Sequence, residues 1–409
     1  MTIRSLKNKA HLVIGIVAAS CSLFPARHLS VVGVTGTDGK TTTSNLIYHI
    51  LREAGKKVAV ISTIGAIIDG EVYETGFHVT TPSPFAVQRY LSIAKRKGCS
   101  HVVLEVTSHA LDQSRVWGIH FRVGVLTNIT HEHLDYHKSY DRYVATKLKL
   151  FEMSDTAIIN SNGEWFSKVL KSIPKAKLLT YSLHGSNKND LSLMNLSFPI
   201  KTKLIGDFNL ENILAAIATC RVLGIEDESI SQAIQSFEAP VGRQEEIVSD
   251  LNRPTVMVDF AHTANSFENI LPEIRKRTTG KLIHVFGAAG ERDQGKRPEM
   301  GKVASFYDDI IVLTSEDPRS ESVENINQAI AEGIDEKFVR VGIDEEPFEK
   351  SLYFINDRAK AIQFALSIAK KGDTVIATGK GHEKTMNYGD GEKEWSDQKV
   401  IRQFLDKKA

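Results

Sequence analysis

From Leu29 onward, short runs of β-branched and aliphatic residues alternate with stretches whose apolar positions recur every three to four residues. This alternation predicts strand–helix units built around a mostly parallel sheet. Residues 30–35 read as a strand, 41–54 as a helix with Leu46, Ile50 and Leu51 on one face, and 57–61, 101–106 and 123–126 as further buried strands. Helical spacing returns over 140–151 and 212–223, the second stopped by Gly224 as a left-handed cap. The polar stretch 182–195 breaks the rhythm and reads as a surface excursion between short strands. After Pro240 a second series begins, with strands at 255–259, 281–286, 309–314 and 374–378 and helices at 266–277, 323–333 and 358–371. The interruption Ala239-Pro240-Val241-Gly242 sets a boundary near residues 238–245. Three parts follow: an apolar helix and linker (1–28), a central domain (29–240) and a Rossmann-like α/β C-terminal domain (241–409).

Length agrees with this division, since 409 residues exceed one ordinary core of about 100 to 200 residues. The 51 Lys and Arg against 50 Asp and Glu leave a formal charge of +1, so no cationic excess exists to drive binding to nucleic acid. Hydrophobic residues at 42% and only 11 prolines describe a folded chain. Cys21, Cys99 and Cys220 lie far apart with no C-x-x-C pair, which excludes a disulfide framework and a cysteine zinc site and suits a reducing cytoplasm. Residues 10–25 form an apolar stretch behind Arg4, Lys7 and Lys9 that is shorter than the roughly 20 residues of a spanning helix. It reads as a packed or interfacial helix, with 10–24 available for a membrane surface or a protein partner.

Candidate chemistry is densest at Gly33-Val34-Thr35-Gly36-Thr37-Asp38-Gly39-Lys40-Thr41-Thr42, between a predicted strand and a predicted helix. Glycines let successive backbone N–H groups turn toward phosphate oxygens, and the helix adds its positive end. Lys40 suits the β- and γ-phosphates and the Thr41 hydroxyl suits Mg²⁺. Five residues rather than four separate Gly33 from Gly39, a departure from the strict phosphate-loop pattern. ATP is the leading ligand, although such a loop serves kinases, ATPases and ligases alike.

Further stretches, in order, extend the picture: Thr80-Thr81-Pro82, Glu105 to Leu111, Thr127-Asn128, His133 to His137, Lys147, Gly206 to Asn209, Gly242-Arg243, Asp259 to His262, Arg292 to Pro298, Asp317-Pro318-Arg319 and Gly379 to Glu383. With these the chain resembles the Mur ligases of peptidoglycan synthesis, in the branch that attaches the third residue of the stem peptide. The resemblance implies a P-loop-type central ATPase domain followed by the C-terminal domain that binds the incoming amino acid. It implies ATP-dependent amide formation through an acyl phosphate, with small-molecule substrates: a UDP-muramoyl-dipeptide and a diamino acid. It also implies one Mg²⁺ on Thr41 and a second held by Glu105 and His133, the metal pair being supported by a carbamylated Lys147. Gly36, Thr37, Asp38, Gly39, Lys40, Thr41 and Thr42 would cradle the nucleotide phosphates. Asn209, Asn212, Arg243, Asp259 and His262 would complete the nucleotide site. Thr80, Thr81, Thr107, Gln113 and Arg115 would hold the muramoyl-dipeptide, and Arg115 carries the planar guanidinium that suits a carboxylate or phosphate.

For the amino acid the resemblance implies Arg292, Glu316, Asp317, Arg319, Gly379 and Glu383. Relatives that add meso-diaminopimelate carry Asp-Asn-Pro-Arg where this chain has Glu316-Asp317-Pro318-Arg319. The retained Arg319 favours diaminopimelate over lysine, while Asp317 replaces an amide donor with a negative charge. Asp38 and Glu132 are smaller departures, for Asn and Asp. The family's uridine-binding domain of about one hundred residues has only about thirty residues in its place before the phosphate loop. The alternatives are a folylpolyglutamate or cyanophycin synthetase on the same scaffold, and a non-catalytic ATP-binding homologue.

Overall fold

The computed structural model describes residues 3–73, 80–130, 134–163, 165–171, 173, 177–185, 190–248 and 253–407. His133 and Glu132 lie outside the described residues. The chain divides into two compact units, Met1–Glu238 and Ala239–Ala409.

In the first unit α1 (Ile3–Cys21) precedes β1 (Ser30–Thr35), α2 (Lys40–Glu53), β2 (Val58–Ser62), β3 (Gly65–Ile68), β4 (Glu71–Tyr73), α3 (Pro84–Arg96), β5 (His101–Glu105), α4 (Ser108–Asp112) and β6 (Phe121–Leu126). Then come α5 (Leu134–His137), α6 (Tyr140–Glu152), β7 (Ser154–Asn160), α7 (Phe166–Leu170), β8 (Lys177–Tyr181), α8 (Asp207–Val222) and α9 (Asp227–Ser236). The eight strands lie in the order β4-β3-β2-β5-β1-β6-β7-β8. All pairings from β2 to β8 are parallel, and β3 and β4 add an antiparallel edge. A central parallel strand is covered on both faces, and Val31, Val32 and Val34 of β1 are accordingly fully buried. The register sets Val34 beside Glu105 and Thr35 beside Leu126, so three strands end together at the phosphate loop.

In the second unit β9 (Glu245–Val248), β10 (Thr255–Val258), α10 (Ala264–Arg277), β11 (Leu282–Phe286), α11 (Lys296–Tyr307), β12 (Ile310–Leu313), α12 (Val323–Ala331), β13 (Val339–Arg340) and β14 (Ser351–Phe354) run in succession. They are followed by α13 (Arg358–Ile368), β15 (Thr374–Ala377), β16 (Thr385–Asn387), β17 (Glu392–Glu394) and α14 (Asp397–Asp406). The main sheet has the order β13-β14-β12-β11-β15-β10-β9, parallel except at β9. Both units are therefore of the α/β class with mostly parallel sheets.

Several expectations shift. Helix α8 starts at Asp207 and is buried around its circumference from Ile213 to Cys220, so one-face periodicity understated it. The stretch 182–195 is not simply a surface excursion: Ser182, Asp190 and Ser192 are buried, and Asp190 accepts from the hydroxyls of Ser161 (2.5 Å) and Ser182 (3.0 Å). Those hydroxyls replace the water that a buried carboxylate would otherwise need. Sequence reading also passed over α3, which Ser83 caps by accepting from Ala86 N and whose Val87 and Leu91 are fully buried. Each such side chain contributes about 1.5–3 kcal/mol.

On α1, Ala18 and Ala19 pack inward while Leu12, Val13, Ile14, Ile16 and Val17 face outward. No helix among the described residues is long and apolar enough to cross a membrane.

Candidate functional site

The phosphate loop leaves the buried end of β1 and turns into α2 at Gly39, whose φ of 79° lies in the left-handed region. A Cβ at this position would stand 2.2 Å from Asn212 Oδ1, so both conformation and space demand glycine. Neighbouring side chains hold the loop by its backbone. Asn128 Oδ1 accepts from the N–H groups of Thr37 (3.1 Å) and Asp38 (2.8 Å), and Thr127 Oγ1 donates to Asp38 O at 2.6 Å. Lys40 Nζ donates to Thr37 O at 2.7 Å. From α6, the buried Lys147 donates to Gly36 O at 2.6 Å, its ammonium 4.6 Å from the Tyr143 ring centroid. Asn212 accepts from Thr43 Oγ1 (3.2 Å) and donates to Asn209 Oδ1 (3.2 Å), bracing the start of α2 from α8. The result is a helix N-terminus behind a preformed loop, the arrangement that receives a polyphosphate.

Beside the loop, Glu105 ends β5 with 1% exposure. Thr41 Oγ1 lies 3.1 Å from both of its carboxylate oxygens, and Thr63 approaches through its N–H (3.0 Å to Oε2) and its hydroxyl (3.0 Å to Oε1). Thr63 and Thr80 hydroxyls lie 3.1 Å apart. Thr41 and Glu105 thus offer adjacent hard oxygens, which suit a Mg²⁺ that takes its other ligands from phosphate and water. Among the described residues no three His, Cys, Asp or Glu side chains converge as a metal site.

The threonines assigned to the acceptor carry internal bonds. Thr81 Oγ1 donates to Glu105 O (2.9 Å) and accepts from Thr107 N (3.0 Å), and Thr107 Oγ1 caps α4 by accepting from Ala110 N (3.1 Å). Arg115 donates to Thr81 O (2.7 Å) and twice to Gln113 Oε1 (3.0 and 2.7 Å), which brings Thr80, Thr81, Thr107, Gln113 and Arg115 together beyond Glu105. Burial pulls the Arg115 guanidinium below its ordinary value.

In the second unit Arg243 stacks over Phe260 at 4.5 Å. Asp259 ties the turn after β10 by accepting from Gln244 N (2.7 Å) and Ala261 N (2.6 Å), and His262 Nδ1 donates to Phe260 O (2.9 Å). Glu316, Asp317, Gly379 and Glu383 gather where β12 and β15 end, the carboxyl edge at which parallel sheets bind ligands. Gly379 has φ 101°, and a Cβ there would stand 2.1 Å from Glu316 Oε2. Asp317 and Arg319 are themselves left-handed (φ 45° and 55°), each costing about 1–2 kcal/mol. The bend is held by Gly290 N on Asp317 O (3.0 Å) and Arg319 N on Asn387 O (3.0 Å).

Charge in this cluster is uneven. Asp317 Oδ1 accepts from the fully buried Lys380 Nζ (2.8 Å) and from Asn387 N (3.0 Å), and Lys380 also pairs with Glu383 at 2.6 Å. Burial opposes the Lys380 charge, but Glu383 and Asp317 outweigh it and hold the ammonium above its ordinary value. Glu316 Oε2 is buried without a hydrogen-bond partner among the described residues, and burial pushes this carboxyl up to about 8 despite the nearby cations Lys296, Arg358 and Lys380. The Arg319 side chain is half-buried and Arg292 is exposed.

Sequence reasoning missed Thr63, which meets Glu105 from 42 positions away, and Tyr143, whose hydroxyl lies 3.0 Å from Thr37 Oγ1. Neither carries a local signal. Lys380 stood inside a quoted motif, yet its pairing with Asp317 spans 63 positions.

Comparison with known proteins places these features in a family context. Residues 34–220 match the Mur ligase middle domain and 242–381 the Mur ligase glutamate ligase domain. The UDP-N-acetylmuramoyl-L-alanyl-D-glutamate--2,6-diaminopimelate ligase of Aquifex aeolicus is 40% identical over 399 residues, covering 93% of this chain and 78% of the relative. The ligase of the same name from Thermosynechococcus vestitus is 37% identical, covering 96% and 80%. A solved structure of a ligase of that name superposes with a TM-score of 0.62 at 29% identity, covering 93% of this chain and 79% of the other. The Yersinia pestis bifunctional folylpolyglutamate synthase/dihydrofolate synthase, solved with AMPPNP and Mn, has a TM-score of 0.70 at 19% identity, covering 97% and 93%, and shares the fold.

Proposed function

The chain belongs to the Mur ligase family and is a ligase of peptidoglycan synthesis, and we propose that it joins a diamino acid, meso-diaminopimelate, to UDP-N-acetylmuramoyl-L-Ala-D-Glu at the expense of ATP. The observation that carries this reading is the contact of Thr41 with both oxygens of Glu105 beside the phosphate loop, in a chain that also carries the Glu316–Arg319 bend.

The acceptor's free carboxylate attacks the γ-phosphorus of ATP, giving an acyl phosphate and ADP. The amine of the diamino acid then attacks the activated carbonyl, forming the amide and releasing phosphate and a proton. Negative charge concentrates in the first step, and preorganised cations and N–H groups lower its barrier. Lys40 and the start of α2 meet that charge. Thr41 and Glu105, with His133 as the resemblance implies, would hold Mg²⁺, which would supply electrostatic stabilisation of the phosphates. Lys147 in its ammonium form pins Gly36 O; as a carbamate it would instead offer oxygens toward the metal. Thr80, Thr81, Thr107, Gln113 and Arg115 hold the acceptor, Thr107 also capping α4 through Ala110 N. Asn209 and Asn212 serve the nucleotide beside the phosphate loop, and a nucleotide role for Arg243, Asp259 and His262 is what the family resemblance implies. Arg319, with Arg292, grips the distal carboxylate of diaminopimelate, and Glu316 and Glu383 receive ammonium.

Asp317 does not oppose this donor, because its carboxylate is engaged by Lys380 Nζ and Asn387 N. The free thiols of Cys21, Cys99 and Cys220 accord with a reducing cytoplasm. The test mixes purified protein, Mg-ATP and the UDP-muramoyl-dipeptide with diaminopimelate or lysine in parallel. A product carrying diaminopimelate is expected by mass. Absence of ADP release with every muramoyl acceptor would overturn the reading.

A further inference from the structure

Arg358, the first residue of α13, is fully buried against Asp397, the first residue of α14. The pair is bidentate, Nε to Oδ1 at 2.8 Å and Nη2 to Oδ2 at 2.7 Å, and Trp395 Nε1 adds a bond to Oδ1 at 2.8 Å. Two further bonds leave the guanidinium: Nη1 donates to Ser315 O at 3.2 Å and Nη2 to Thr378 O at 2.7 Å. Ser315 immediately precedes Glu316, and Thr378 immediately precedes Gly379.

The two carbonyls follow the ends of β12 and β15, which are not neighbours, since β11 lies between them. No ladder hydrogen bond therefore joins their ends, and the guanidinium fork is a direct polar bridge from one to the other. Thr378 is held a second time, its Oγ1 2.9 Å from His284 Nε2, while His284 Nδ1 lies 2.8 Å from Asp308 Oδ2 with both side chains fully buried. A buried ion pair is weak grounds for stability, because well-packed apolar residues often serve as well. What the pair supplies here is geometry: the planar fork makes four hydrogen bonds, two of them bidentate to one carboxylate, where a lysine ammonium has only three N–H donors.

We propose that Arg358 is a positioning residue for the incoming-amine pocket, setting the spacing between the 316–319 and 379–383 segments so that Glu316, Arg319 and Gly379 meet one substrate. The inference rests on the ligase reading given above. Loss of the fork loosens the pocket for the amine and leaves the nucleotide and acceptor steps as they are.

Steady-state kinetics of R358K in the full chain, with ATP, acceptor and diamino acid each varied, tests it beside a thermal melt. The amine KM should rise about tenfold or more, with the KM values for ATP and acceptor within about twofold and kcat within about threefold. D397N should move the same KM in the same direction, and it carries the comparison should R358K fail to fold. A folded variant with an unchanged amine KM overturns the proposal, as does an equal loss for all three substrates or loss of fold in both variants. Wild-type protein without turnover sinks the ligase reading and the inference with it, an outcome distinct from active wild type matched by R358K.

Discussion

The Thr41 hydroxyl sits 3.1 Å from each carboxylate oxygen of Glu105, joining the first turn of α2 to the end of β5 across 64 positions of sequence. If that pair holds the metal beside the phosphates, E105Q removes the charge while nearly keeping the shape. Its kcat should fall about 10²- to 10³-fold and the Mg²⁺ concentration for half-maximal rate should rise. A Mg²⁺ titration of the rate checks this, and an E105Q enzyme with wild-type Mg²⁺ dependence would refute the assignment.

At Gly39 the left-handed backbone and Asn212 Oδ1, 2.2 Å from a built Cβ, act together. G39A should add about 1–2 kcal/mol of backbone strain at the loop and weaken ATP about tenfold or more. Measured against N212A alone, adding G39A should cost only the backbone part. Calorimetric ATP titration of wild type, G39A, N212A and the double variant separates the two contributions.

The Glu316 carboxyl gives a pH dependence with a definite sign. The unfolded chain releases this proton near the ordinary value of 4.5 and the folded protein near 8, so between them the fold binds more protons and stability falls as pH rises. Lys296, Arg358 and Lys380 oppose the shift and Glu383 adds to it, with burial the largest cause. E316Q should flatten the slope of melting temperature over that window. It should also abolish any fall in amine KM as pH approaches 8, since only the carboxylate pairs with an ammonium. Melting curves and amine KM across pH read both effects.

Arg319 should matter to one donor and not the other. R319M should lower kcat/KM for diaminopimelate about 10- to 100-fold and leave lysine within about twofold, because only diaminopimelate has the distal carboxylate. Parallel kinetics with the two amines decide it.

Asp317 makes the opposite prediction. With Oδ1 already engaged by Lys380 Nζ and Asn387 N, D317N should change the diaminopimelate-to-lysine preference by less than about threefold. A large swing toward diaminopimelate in competition assays would show that the charge does reach the substrate.

Much of this was legible in residues read along the chain. The run from Gly33 to Thr42 announced its loop because close backbone approach and a helix start require those residue types in that order. Alternating buried runs and amphipathic stretches gave the α/β class. Less could be read where burial is all-round, as in α8, or where polar residues turn inward, as at Asp190. The partners of Glu105 and Asp317 were beyond reach for a simpler reason, since Thr63 and Lys380 lie 42 and 63 positions away.

Local backbone demand and apolar periodicity are properties of short segments, so the order of residues alone specified the central strands of both sheets and the phosphate loop, while Glu105, Lys147 and Arg319 stood out only through the family resemblance. Strand register and packing are collective, and they alone decided which charges are answered: Asp317 by Lys380, Arg358 by Asp397, and Glu316 Oε2 by no hydrogen-bond partner among the described residues. A carboxyl's proton affinity depends on the water it loses and the charges it faces, and both exist only once distant segments have come together.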